Sequence, residues 1–172
     1  MGKLRTTAIT KGKSDSFLKE ISKTVNKVLR AMSEKNPSSK YEIDDLGLPH
    51  KPKPLPKGKT AVYMFYCPKE KIFLKIGRVG IKSNARFSYQ HYNPAYSKSN
   101  LASSILNDDK MKMNFKLTNE NIGGWIKENC RRINVLFDGK ETNPFASELV
   151  EACLHYKYNP RYEGKSNNEA EV

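Results

Sequence analysis

Tyr63, Lys75, Arg78, Arg86 and Glu148 follow one another along the chain in an order that suits phosphodiester hydrolysis. A tyrosine can align or deprotonate an attacking water when neighbouring cations lower its phenol pKa. Lys75 and Arg78 are expected to supply that charge, Lys75 from the adjoining strand of a hairpin, where cross-strand side chains lie about 5 Å apart. The planar fork of Arg86 suits two oxygens of a phosphate and the charge that develops on them. A glutamate at the edge of a buried helix face needs a cation, and a hard ion such as Mg²⁺ satisfies it while leaving room for phosphate oxygens. Glu148 is the expected metal ligand, and Glu151, one turn further on, is its rival. Taken singly, each residue has a plainer reading: a core tyrosine, a surface cation or a solvated carboxylate.

Composition narrows the partner. The chain has 172 residues and a net charge of +13, with a pI near 9.6. Such a balance favours a polyanion, since each Lys or Arg placed on a phosphate releases condensed counterions. It selects a polyanion as partner class without selecting an activity, and fits a ribosome-associated or membrane-surface protein as well. The three cysteines, Cys67, Cys130 and Cys153, lie far apart and make no zinc spacing, which points to reduced thiols and a cytoplasmic protein. No apolar run reaches the roughly 18 residues of a membrane span.

The elements that must position these residues can be read from periodicity. Phe17, Ile21, Val25, Val28, Leu29 and Met32 form one stripe of an amphipathic helix, with Ser14 and Asp15 as expected caps. Five prolines between residues 36 and 60 suggest an extended arm. Residues 61–67 and 72–76 read as a β-hairpin around a Pro68 turn. Helices are expected over 83–92, 101–106 and 121–129, the last weakened by Gly123-Gly124. Residues 108–117 read as a loop and 131–138, with Ile133, Val135 and Phe137 alternating, as a third strand. A final helix opens at Asn143-Pro144, and its Phe145, Leu149, Ala152, Cys153 and Tyr156 cluster on one face, taken as the buried one. The resulting division is a basic helix and Pro-rich arm over 1–59, a core over 60–163, and a polar tail over 164–172. The fold class is α/β (α+β), with a small antiparallel sheet.

Ala61-Val62-Tyr63, Lys75-Ile76-Gly77, Arg86, Glu148 and Asn159 together resemble the GIY-YIG nuclease superfamily over residues 60–163. The run Leu74 to Gly80, with Asn84-Ala85-Arg86-Phe87 and Gln90-His91-Tyr92, is similar to its small restriction-endonuclease-like branch, in which a lysine stands in for the tyrosine of the second motif. Ala61 replaces the first motif glycine. Where many members carry a histidine, Gln90 stands here and His91 follows it, so the role of His91 is open. The resemblance implies a central three-stranded antiparallel sheet flanked by helices, and cleavage of double-stranded DNA using Mg²⁺, with Mn²⁺ as a substitute. It also implies a homodimer on a palindromic target and a bacterial or phage source. Sequence specificity would need base contacts, for which Lys82, Asn84 and Gln90 are candidates. A less specific nuclease of the same fold, or a non-catalytic nucleic-acid-binding protein, are the competing readings.

Overall fold

A computed structural model describes residues 11–32, 41–96, 100–139 and 144–162. The expectations for residues 1–10 and for the tail beyond Tyr162 fall outside the described residues. Helix α1 (Lys11–Met32) is followed by strands β1 (Tyr41–Gly47), β2 (Lys59–Cys67) and β3 (Ile72–Val79). Then come α2 (Asn84–Ser88), two single 3₁₀ turns over Gln90–Tyr92 and Pro94–Tyr96, α3 (Leu101–Leu106), α4 (Asp109–Phe115) and α5 (Ile122–Asn129). Strand β4 (Arg131–Asp138) and helix α6 (Pro144–Tyr158) complete the chain. All strand pairs are antiparallel, in the order β1-β4-β2-β3.

The mixed α/β class and the hairpin agree with expectation, but the sheet has four strands. The extra one, β1, lies within the segment read as an arm. Its charged residues find distant partners: Arg131 reaches Asp45 through two nitrogens, at 2.6 and 3.1 Å, and Asn134 Nδ2 donates to Asp44 at 3.3 Å. The segment after β1 is pinned as well, since His50 N donates to Lys127 O and Leu55 N to Asn84 Oδ1.

Because side chains alternate along a strand, the sheet has two covered faces. On one, Val62, Met64, Ile76, Ile133, Val135 and Phe137 meet Ile21, Val25 and Leu29 of α1 and Ala146, Val150 and Leu154 of α6. The apolar stripe of α1 is therefore as expected, although the helix begins at Lys11, ahead of Ser14 and Asp15. On the other face, Ala61, Tyr63, Phe65 and Cys67 pack under Leu101, Ile105, Met111, Ile122 and Ile126.

Several local expectations are revised. Residues 109–115 are helical, because Asp108 caps them by accepting from Met111 N at 3.1 Å. The helix expected over 83–92 stops at Ser88 and tightens into a 3₁₀ turn. Gly123 does not mark a weak helix. A Cβ there would sit 2.5 Å from Tyr92 O, so the bare position lets α5 approach that turn. Helix α6 is buried through Ala146, Ser147, Val150 and Leu154, while Phe145, Leu149 and Tyr156 are exposed. The face expected to be buried is thus the outer one.

Candidate functional site

A cross-sheet row carries the first motif residue. Asn134 on β4, Tyr63 on β2 and Gly77 on β3 are successive register partners, so their side-chain positions share one face. The Tyr63 ring lies across the backbone of Gly77. A Cβ at residue 77 would collide with Tyr63 Oη and come within 2.6 Å of Cζ. Here the glycine is required by space, since only a residue without a side chain admits the ring. Tyr63 is 2% exposed, and the ring of His91 packs against it with centroids 4.7 Å apart.

The next row holds Arg132, Phe65 and Lys75. A bulge at Leu74 precedes Lys75, and the chain after α6 pairs with the strand edge there: Arg161 N donates to Phe73 O and Tyr162 N to Leu74 O, both at 2.9 Å. That pairing brings Tyr162 O within 3.4 Å of Lys75 Nζ. Bulges commonly re-aim a side chain, and this one leaves Lys75 on the same face as Gly77. Lys75 is 9% exposed, and burial together with the charge of Arg86 pushes its pKa down. Arg86 is exposed on α2, and its charge acts on Tyr63, Lys75 and His91 alike.

Tyr63 departs from expectation. Its phenol was to be acidified by cations, yet burial pushes it up to about 12, against the opposing pull of Arg86 and Arg132. Desolvation of the phenolate outweighs the cations because the ring sits within the packed face. Tyr63 therefore keeps its phenolic proton at neutral pH. Lys75 is the group displaced toward its neutral form.

Arg78 and the two glutamates also fall differently. Arg78 pairs with Val62 in register, on the sheet face opposite Tyr63, and turns toward α6. There it binds Glu148 at 2.8 Å and Glu151 at 3.5 Å. The preference for Glu148 rested on the wrong helix face: its side chain is 46% exposed, against 27% for Glu151. The charge of Glu151 acts on both Tyr63 and Lys75. Glu151 is thus the less exposed of the two glutamates and the one whose charge reaches Tyr63 and Lys75.

The supporting residues divide. Asn159 adopts φ 42° and donates its N–H to His155 O, terminating α6 in the left-handed conformation that asparagine tolerates. Asn84 uses its side-chain oxygen to hold Leu55 N at 2.8 Å, which leaves it a structural task. Lys82 is exposed and Gln90 half-buried near Arg86, so both can face a ligand.

Two important side chains had no place in the sequence reading. Arg132 is fully buried beneath the site, donating to Asn134 Oδ1 at 3.1 Å, Tyr92 Oη at 2.8 Å and Phe87 O at 2.5 Å. Its guanidinium lies 4.5 Å from the Phe87 ring centre and 5.2 Å from that of Phe65. His50 continues the chain of bonds. Cys130 O can only accept, so His50 Nδ1 donates to it at 2.6 Å, and Nε2 accepts from Tyr92 Oη at 2.9 Å. Burial, with Arg132 nearby, pushes His50 down to about 4. Arg132 and Asn134 on one strand face were the available signal: two polar residues in step among the apolar Ile133, Val135, Leu136 and Phe137.

Among the described residues, no three His, Cys, Asp or Glu side chains form a metal-holding group. Among the described residues, Glu151 is the one carboxylate whose charge acts on Lys75. One carboxylate suits a hard ion only when substrate oxygens and water complete the shell, a pattern typical of Mg²⁺ on phosphates. No helix among the described residues is long and apolar enough to cross a membrane. Comparison with family models, curated proteins and solved structures gives no match to this chain.

Proposed function

We propose that the protein is a metal-dependent nuclease of GIY-YIG type that hydrolyses phosphodiester bonds in double-stranded DNA. The observation that carries this reading is the placing of Tyr63 and Lys75 on one sheet face, where the charges of Arg86 and Glu151 reach both, in a chain of net charge +13. Arg86 takes the phosphate oxygens and the charge that grows on them. Tyr63 keeps its proton and orients the attacking water. Lys75, held with a weakened preference for its ammonium form, is the better proton acceptor. Glu151 would hold the Mg²⁺, which when bound supplies Lewis acidity that offsets charge on the phosphate. The restriction-like branch adds site-specific cutting by a two-fold dimer.

Purified protein is incubated with plasmid and phage DNA in Mg²⁺ or EDTA, beside Glu151→Gln and Glu148→Gln. Mg²⁺-dependent cleavage that is lost in Glu151→Gln and kept within about tenfold in Glu148→Gln supports the assignment. Discrete fragments indicate a site-specific enzyme and a smear a nonspecific one. The ion pairs from Arg78 to both glutamates favour a second reading, in which the same cations bind phosphate without cutting it. Binding with no cleavage in Mg²⁺ or Mn²⁺ selects that one.

A further inference from the structure

His91 is 1% exposed, and its Nε2 has no hydrogen-bond partner among the described residues. Its other nitrogen is committed: Leu101 N, in the first turn of α3, donates to Nδ1 at 3.3 Å. A backbone N–H can only donate, so Nδ1 carries the lone pair and the neutral ring bears its proton on Nε2. Arg132, Lys75 and Arg86 face the ring from three elements, and with burial they keep it neutral. A buried donor left without an acceptor is costly to the fold. The ring is held there firmly, between Tyr63 at 4.7 Å and Phe65 at 5.5 Å, and Asn100 fixes the start of α3 by bonding to Ser103 N and Asn93 O.

We propose that the Nε2–H of His91 is a dedicated hydrogen-bond donor to an anionic oxygen bound beside Tyr63, Lys75 and Arg86. The inference rests on reading that face as a phosphate site, and it gives the histidine a role different from proton transfer. Nε2 already carries its proton, and the lone pair on Nδ1 is taken by Leu101 N at the start of α3, so His91 is not the base. Its contribution is a fixed dipole aimed at an oxygen, in surroundings dry enough to make that dipole count.

The test uses the full chain labelled with ¹⁵N-histidine, with inorganic phosphate as one probe and a short DNA duplex in EDTA as the other. A protonated Nε2 whose proton signal moves downfield with both probes is the expected result. Movement with phosphate alone also supports the donor role and shows that the duplex seats elsewhere. A proton found on Nδ1 overturns the proposal. So does an Nε2–H signal unmoved by either probe, the outcome if an internal water already occupies it. In the cleavage assay, His91→Gln, which keeps an N–H donor, should hold activity within about tenfold, while His91→Phe loses about 100-fold or more. A shift of Nε2–H in a protein that cuts nothing leaves the donor role standing and removes the nuclease reading. Cleavage with an unmoved Nε2–H does the reverse.

Discussion

Gly77→Ala is the sharpest probe of how the site is built, because two general effects predict opposite signs. In a strand with room for a methyl group, alanine should stabilise by about 0.5–1 kcal/mol, since it restricts the unfolded chain more than glycine does. Here the added Cβ meets Tyr63 Oη, lies 2.6 Å from Cζ and 3.1 Å from Cε2. The ring cannot swing away freely, with Phe65 centred 6.0 Å from it and His91 closer still. Overpacking of this kind costs about 1–3 kcal/mol. A net loss of about 1–2 kcal/mol in urea unfolding is therefore expected, equivalent to a Tm drop of roughly 2–8 °C for a chain of this length. In a Tyr63→Ala background the obstacle is gone, and the same substitution should become neutral or stabilising. The double-mutant cycle reads the difference as a coupling of about 1–3 kcal/mol. Equal cost in both backgrounds would refute the claim that Gly77 exists to admit the tyrosine ring.

Replacing Arg132 by Met should destabilise by on the order of 3 kcal/mol in chemical denaturation, since Phe87 O and Asn134 Oδ1 lose a buried donor each; a change under about 0.5 kcal/mol would show that the network is dispensable. His50 titrates near 4 when folded and 6.5 when free, so its stabilisation is complete above pH 6.5 and is lost as pH falls toward 4, by about 3 kcal/mol in all. Urea midpoints across that window should fall, and His50→Gln should flatten the fall without abolishing it, because His91 is held neutral by the same means.

What was legible in the sequence was local. The hairpin announced itself as two apolar runs joined by a turn, and its register then followed from packing on both sides. Strand β1 did not, because Tyr41 to Gly47 carries Glu42, Asp44 and Asp45 among prolines, and what neutralises Asp45 is Arg131, far along the chain. The order of motif residues was readable, yet their mutual placement was not. Helix α6 is apolar on two sides, so composition could not say whether Leu149 or Val150 faces the sheet. The choice of Glu148 over Glu151 inherited that ambiguity. Arg132 and His50 were read past because polar residues are usually outside; only the bonds they make to Tyr92, Phe87 and Cys130 explain their burial.

The pairing of β1 with β4 has a consequence for anyone dissecting the chain. A cut at Thr60, where the prolines end, removes β1, the neighbour on that side of β4 among the described residues. It bares the backbone donors and acceptors from Arg132 to Phe137 along a strand that carries Ile133, Val135, Leu136 and Phe137. Such a rim is a template for any other extended segment, including the same rim on another molecule. The stretch that resembles a dispensable leader is the selvedge of the sheet, and without it the fabric has a raw edge.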